Sequence, residues 1–132
     1  MSLRRWFNWL GGGRSNESSH HLHETEKGAF ELKLDKVVVG HLSYDNGLWT
    51  FRYDEVYAAS PNFRRIVNFP YAEKTYTSDA LWSFFQIRIP GLKQPSVQEV
   101  IKKENLDPTN EAQLLRRFGK SSISNAYTLE VA

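Results

Sequence analysis

Few residues in this sequence of 132 residues combine the types and spacing that catalysis requires. The ionisable residues that lie side by side are Asp54 with Glu55, and Glu73 with Lys74. A general acid or base works only within hydrogen-bond reach of the proton that it transfers, and neighbouring charges of this kind are typical of solvated loops. The sequence contains no Gly-x-Ser-x-Gly elbow and no catalytic or metal-binding motif of a protein kinase. We therefore expect a protein that is not an enzyme.

No segment has the features of a nucleotide or metal site. The run Gly11-Gly12-Gly13 lacks the lysine and serine of a phosphate-binding loop and does not join a strand to a helix. His20, His21 and His23 form a cluster of a kind that binds transition metals, but no carboxylate or cysteine lies at a fixed ligand spacing. We predict no cofactor and no physiological metal site.

Length and composition indicate one folded domain with a substantial core. Domains commonly have about 100–150 residues, and 40% of these residues are hydrophobic and 14% aromatic. The net charge of +2 does not by itself indicate a nucleic-acid ligand. The absence of cysteine is compatible with a reducing compartment, and no apolar run approaches the roughly 20 residues of a membrane span. We expect a cytoplasmic protein with no membrane partner.

Residues 1–27 are predicted to be a flexible extension, and residues 28–132 to be the folded domain. The extension contains a basic-aromatic patch from Arg4 to Leu10, followed by three glycines and a polar run of linker composition. The patch is either an anchor for a membrane surface or a partner, or a frayed terminus with one helical turn. Because its apolar part stops at Gly11, we do not expect a secretory leader.

The first half of the domain is predicted to be a three-stranded antiparallel meander. Hydrophobic residues alternate over residues 30–34, and β-branched residues are frequent over residues 37–44. The sequence Asp45-Asn46-Gly47 indicates a hairpin turn, since Asn and Gly tolerate the positive φ that tight hairpins need. Residues 48–53 form the third strand. Val56 and Tyr57 either close that strand or form a helical turn.

The second half is predicted to contain one edge strand, two or three helices and a final strand. The edge strand covers residues 63–69, where Phe63, Arg65, Val67 and Phe69 alternate before Pro70. The helices cover residues 78–89, capped by Ser78 or Asp79, residues 96–105, capped by Ser96, and residues 109–118, stopped by Gly119. Tyr127, Leu129 and Val131 alternate in the last strand. The predicted fold class is α+β, with a curved antiparallel sheet or small barrel-like meander of about five strands.

The helix predicted at residues 78–89 has too many apolar side chains for one buried stripe. Its hydrophobic residues cover nearly the whole circumference at about 100° per residue; they are Leu81, Trp82, Phe84, Phe85, Ile87 and Ile89. One face must pack on the sheet. The remaining surface indicates a second contact, either with this protein's own core or with a partner protein.

Basic and aromatic residues also interleave in a pattern that small nucleic-acid-binding barrels use. Trp49 and Arg52 lie on the third strand, and Arg64 and Arg65 follow in the next segment. The alternative interpretation is that aromatic residues at period two form the buried face of a strand, and that the arginines lie on its wet face. We keep a nucleic-acid-binding barrel as an alternative function.

From Val39 onward the order of features resembles the N-terminal subdomain of HipA-type serine/threonine kinases, the toxins of bacterial toxin–antitoxin loci. The matching segments are Val39-Gly40-His41-Leu42, the run from Asn46 to Tyr53, the run from Tyr76 to Phe85, Ile89-Pro90-Gly91, and the run from Leu114 to Ser122. Together they span roughly residues 30–132. Two segments depart from the family pattern, namely Asn68-Phe69-Pro70-Tyr71 and Arg88-Ile89-Pro90-Gly91.

The resemblance implies a detached kinase subdomain, because the family's ATP-binding and catalytic residues have no counterpart in this sequence. Stand-alone copies of the subdomain are similar to the HipS antitoxins of three-gene HipBST loci, in which the kinase lacks this part. The implied partners are a HipT-like kinase and a HipB-like helix-turn-helix protein that binds the operator. The kinases of this family phosphorylate aminoacyl-tRNA synthetases. The resemblance implies no direct contact of this chain with nucleic acid.

The leading expectation is therefore a non-enzymatic antitoxin that binds and inhibits a HipT-like kinase. A further alternative is a structural subunit that stabilises the kinase without inhibiting it. We predict Trp82 as the main partner contact, against the alternative that it caps this protein's own core. The predicted partner-binding residues are Tyr76, Trp82, Ser83, Phe85, Gln86 and Arg88.

Overall fold

The computed structural model describes residues 27–122 and 125–132. Within these residues, five strands form one open antiparallel sheet, accompanied by four helices. The strands are β1 Lys27–Leu34, β2 Val37–Asp45, β3 Leu48–Tyr53, β4 Tyr76–Ser78 and β5 Thr128–Val131, and the helices are α1 Glu55–Ala58, α2 Ser83–Gln86, α3 Pro95–Lys103 and α4 Glu111–Phe118. The predicted α+β class is confirmed. Lys27, the last residue of the predicted extension, is the first residue of β1.

Two tight turns connect the meander, and one of them lies at the predicted Asn46-Gly47 position. Asn46 and Gly47 have φ values of 48° and 88° between β2 and β3, which suits a hairpin turn that requires left-handed residues. Asp35 and Lys36 turn the chain between β1 and β2, also with positive φ. The strand order is β4-β3-β2-β1-β5, so that β4 and β5 are the edges of the sheet.

The hydrophobic core lies on one face of this sheet. Trp49, Phe51 and Tyr53 alternate along β3 and are each no more than 3% exposed, which confirms the predicted inner face of this strand. Helices α2 and α4 contribute Phe85 and Leu115 to the same core. None of the described helices is long and apolar enough to cross a membrane.

The edge strand predicted at residues 63–69 is wrong. The segment forms a single bridge between Ile66 and Phe69, with the Phe69 N–H donating to the Ile66 carbonyl at 2.8 Å. Ile66 and Phe69 are buried, Phe63 is half-buried, and Val67 is 93% exposed. The inward residues are therefore spaced by three, as in a chain that turns, and not by two as in a strand.

The long aromatic helix predicted from Ser78 is also wrong. Ser78 ends β4 by pairing with Trp49, and its hydroxyl accepts the Ala80 N–H at 3.0 Å, which stabilises a bend. Helix α2 covers only Ser83–Gln86, with Trp82 in extended conformation at its N-cap. Ser78, one of the two predicted helix caps, is used in sheet pairing, and Asp79 lies in the bend that follows. Leu81 therefore lies before the helix, and Phe84 and Phe85 lie within it.

The remaining helices are close to prediction, but the predicted Ser96 cap is wrong: the N-cap of α3 is Gln94, and α3 ends at Lys103 and not at Asn105. Helix α3 begins at Pro95, which suits a first helical position because its missing N–H has no partner there. Helix α4 begins after Asn110, whose side chain accepts the Gln113 N–H at 3.0 Å. It ends at Gly119, as predicted.

Candidate docking surface

The site is built around Phe69, a fully buried ring near the β4 edge of the sheet. Its ring centroid lies 4.2 Å from that of Phe51 in a stacked arrangement. The ring centroids of Tyr76 and Trp82 lie 5.1 and 5.0 Å from that of Phe69, both in edge-to-face arrangements. Two residues that the sequence analysis assigned to partner binding are therefore brought together by a third residue that it did not assign.

A buried tyrosine hydroxyl positions Phe69. The Tyr53 hydroxyl donates to the Phe69 carbonyl and accepts the Ile66 N–H at 2.8 Å. Burial raises the pKa of Tyr53 to about 12. The hydroxyl therefore stays protonated near neutral pH and holds both ends of the turn at residues 66–69.

The exposed part of the site is a surface that we call the aromatic surface. Tyr76 and Trp82 are half-buried, Tyr71 is 59% exposed, and the Tyr71 N–H donates to the Tyr76 hydroxyl at 2.7 Å. Ser83 and Gln86 are exposed on α2 directly after Trp82. The aromatic surface consists of Tyr71, Tyr76, Trp82, Ser83 and Gln86.

Trp82 covers part of the core and also keeps part of its side chain in solvent. Its ring packs edge-on against Phe69 at an interplanar angle of 80° and so covers the core. Its side chain also retains solvent contact. The Trp82 carbonyl accepts the N–H groups of Phe85 and Gln86, both at 2.9 Å, which fixes the tryptophan at the start of α2.

Two of the predicted partner-binding residues lie inside the protein and are therefore not part of the aromatic surface. Phe85 is fully buried, with its ring 5.8 Å from Phe51 and 6.1 Å from Phe69. Arg88 is 4% exposed. Arg88 lies beyond α2, which ends at Gln86, so helical spacing did not predict that its side chain points inward.

Arg88 is a structural cation that joins α2 to the segment before β5. Its guanidinium donates to the Tyr127 carbonyl and the Asn125 amide oxygen, both at 2.9 Å, and to the carbonyls of Gly119 and Lys120 at 3.3 and 3.4 Å. Its Nε–H is buried without a hydrogen-bond partner. Burial lowers the pKa of Arg88, and the carbonyl oxygens compensate part of the desolvation of the charge.

The four residues assigned to nucleic-acid binding do not form one stacking face. Trp49 is 1% exposed and packs against Tyr44 with ring centroids 4.5 Å apart. Arg52 lies on the opposite face of β3, since successive side chains of a strand alternate. Arg64 and Arg65 are exposed in the loop before the turn. The predicted combination of Trp49 with these arginines is therefore wrong, because Trp49 is a core residue.

Three of the four charged residues that lie side by side in the sequence line an open pocket of about 470 Å³; they are Glu55, Glu73 and Lys74. Its lining also includes Arg52. Asp54 instead caps α1, accepting the N–H groups of Val56 and Tyr57, and contacts His41 Nε2 at 2.9 Å. The pKa of Asp54 lies below its usual range. Burial alone would raise this pKa, but the hydrogen bonds with His41 and the Tyr57 N–H lower it by more. Asp54 is therefore an ionised helix cap.

His20, His21 and His23 lie outside the described residues, as does the patch from Arg4 to Leu10. Among residues 27–122 and 125–132, no group of His, Cys, Asp and Glu side chains has an arrangement that could hold a metal ion.

The fold defines the class of protein first: an α+β domain in which helices α1, α2 and α4 contribute side chains to the core of an open antiparallel sheet. Residues 30–124 match the family model described as the HipA N-terminal domain. This protein therefore belongs to the HipA N-terminal domain family, and the resemblance found in the sequence is confirmed. The family relates it to the HipA toxin–antitoxin system. A comparison with curated proteins gave no match.

Proposed function

We propose that this protein is a non-enzymatic antitoxin that binds and inhibits a HipT-like serine/threonine kinase in the cytoplasm. A HipB-like helix-turn-helix protein completes the proposed complex. Membership in the HipA N-terminal domain family supports the relation to such a kinase. The observation that carries the proposal is the aromatic surface, where Trp82 and Tyr76 lie half-exposed beside the exposed start of α2.

The aromatic surface suits a protein interface for physical reasons. Tryptophan and tyrosine dominate the binding energy of many interfaces because they bury a large area at a small cost in side-chain entropy. The surface is also preorganised, since Phe69 and the Tyr53 hydroxyl hold its parts in place before binding. In the proposed mechanism, the Trp82 side chain occupies or distorts the nucleotide cleft of the kinase.

A surface substitution that leaves the core intact provides the test. Ser83→Arg introduces a long charged side chain at the first residue of α2, next to Trp82, without removing a core contact. Ser96→Arg is the matched control, because Ser96 is an exposed serine in the first turn of α3. We expect Ser83→Arg to lower the affinity for a HipT-like kinase at least about tenfold, and Ser96→Arg to change it less than about twofold.

A kinase assay on the same complex separates inhibition from mere stabilisation. An antitoxin lowers phosphotransfer by the kinase in proportion to the bound fraction, whereas a structural subunit leaves phosphotransfer unchanged or raises it. Purified protein alone should not hydrolyse ATP. ATP turnover that disappears when one of this protein's own residues is mutated would show that it is an enzyme.

A further inference from the structure

Val67 is the most exposed of the large hydrophobic side chains described, at 93%. Single exposed valines are common on protein surfaces and by themselves indicate nothing. Val67 differs because it lies at the tip of a turn whose two ends are buried: Ile66 is 6% exposed and Phe69 is fully buried.

The turn that presents Val67 is anchored from three directions. Across its base, the Phe69 N–H donates to the Ile66 carbonyl at 2.8 Å. From below, the Tyr53 hydroxyl bonds the Ile66 N–H and the Phe69 carbonyl. From the preceding loop, the Tyr57 hydroxyl accepts the Arg64 N–H at 3.0 Å. Because these hydrogen bonds fix the turn before binding, Val67 loses little conformational entropy when a partner covers it.

The turn is also continuous with the aromatic surface. Phe69, at the end of the turn, contacts both Trp82 and Tyr76 directly. Tyr71, two residues beyond Phe69, is itself part of that surface. A partner that covers Trp82 therefore lies next to the turn.

The charged residues next to Val67 in the sequence indicate the chemistry of what it contacts. The sequence from Val56 to Ala72 contains no acidic residue, and its Arg64 and Arg65 side chains are both exposed. A complementary surface offers an apolar pocket for Val67 with carboxylates near its rim, since opposite charges at the rim favour docking in one orientation.

We propose that the turn at residues 66–69 is a second anchor of this protein, which inserts Val67 into an apolar, acid-rimmed pocket of its protein partner. The inference rests on the proposed function in taking the HipT-like kinase as that partner. It adds a contact element outside the residues that the sequence pattern assigned to binding.

The test compares two valines of similar exposure. Val67→Asp places a negative charge at the tip of the turn, whereas Val56→Asp places one on α1 at a residue that is 80% exposed. We expect Val67→Asp to weaken kinase binding at least about tenfold, which is ~1.4 kcal/mol, and Val56→Asp to weaken it less than about twofold. Both variants should keep the wild-type melting temperature, because neither side chain is part of the core.

Val67→Thr keeps the size of the side chain and serves as the second variant if Val67→Asp lowers the melting temperature. It should weaken binding severalfold with an unchanged melting temperature. If both Val67 variants bind as the wild type does while Ser83→Arg loses affinity, the second anchor is refuted and the proposed function stands. If the wild-type protein does not bind the kinase, both proposals fail.

Binding to nucleic acid is the competing outcome for the same cationic turn. A single-stranded oligonucleotide of mixed sequence is the probe, titrated at two salt concentrations. A nucleic-acid contact would show itself as oligonucleotide binding that weakens steeply with salt and is lost in the double variant Arg64→Glu, Arg65→Glu. If Val67→Asp also left kinase binding unaffected, this result would replace the protein anchor by a nucleic-acid contact. We expect no such binding.

Discussion

Replacing Tyr53 by phenylalanine isolates the hydroxyl that holds the turn at residues 66–69. The substitution keeps the ring and its edge-to-face contacts with Phe51 and Phe63, whose centroids lie 5.3 and 5.0 Å away. It leaves the Ile66 N–H and the Phe69 carbonyl without their buried partner. A buried backbone group without a hydrogen bond costs about 1–3 kcal/mol. Because the turn can relax partly toward water, we expect Tyr53→Phe to lower the free energy of unfolding by about 2–3 kcal/mol.

Urea denaturation measures this loss as a lower midpoint at an unchanged m-value. Tyr44→Phe is the matched control. Tyr44 is a half-buried tyrosine on β2 that packs against Trp49, and no hydrogen bond of its hydroxyl is described. Its variant should change the free energy of unfolding by less than about 0.5 kcal/mol. A Tyr53→Phe variant as stable as the Tyr44→Phe variant would refute the idea that the hydroxyl holds the turn.

The difference in unfolding free energy between the wild type and Tyr53→Phe should depend on pH. Burial raises the pKa of Tyr53 from 10.0 to about 12 in the folded state. The folded state therefore favours the protonated hydroxyl, so its contribution is fully present below pH 10 and is lost as the pH rises toward 12. The stability difference between wild type and Tyr53→Phe should narrow over that range. A difference independent of pH up to 12 would contradict the raised pKa.

Three other substitutions test separate parts of the molecule. Trp82→Ala should lower the free energy of unfolding by roughly 1–3 kcal/mol, because the side chain loses its contact with Phe69. At equal folded fraction, it should also weaken kinase binding at least about tenfold. Unchanged affinity at equal folded fraction would show that Trp82 is not part of the interface. Arg88→Leu should destabilise by about 2–4 kcal/mol in urea denaturation, because several buried carbonyls lose their donor. Arg117→Leu removes an exposed ion pair with Glu104 and an exposed contact with the Phe118 ring, and it should shift the midpoint far less. Asp54→Ala should cost about 1 kcal/mol through loss of the α1 cap. Since the pKa of Asp54 is lowered in the folded state, its contribution should be present above the unfolded pKa near 4 and disappear as the pH falls below it.

The sequence predicted those parts of the fold that local rules determine. The turn at Asn46-Gly47 and the inward face of β3 need only left-handed residues and a period of two. It failed where distant residues decide the structure. Ser78 has the side chain of a helix cap, but pairing with Trp49 places it in β4.

The aromatic surface was predicted only in part, because residues distant in sequence bring it together. The sequence singled out Tyr76 and Trp82 by type and position, but Phe69, which joins them, was assigned to a strand. The spacing of Phe63, Ile66 and Phe69 by three residues was the available signal for a turn. No local signal showed that Arg88 points inward, because its acceptors lie more than 30 residues further along the chain.

The placement of β5 at the outer edge of the sheet has a consequence for how the chain folds. Lys33 on β1 and Glu130 on β5 are 97 residues apart in sequence but 3.1 Å apart in space. During synthesis, the meander of β1, β2 and β3 is complete long before β5 leaves the ribosome. The edge of β1, with Phe30 and Leu32, stays open throughout this interval. An unpaired strand edge invites association with other chains, and contacts between distant residues form slowly. Pairing of residues 128–131 with β1 therefore covers Phe30–Lys33 and leaves the four-residue β5 as the edge of the sheet, and a short edge strand is less prone to such association.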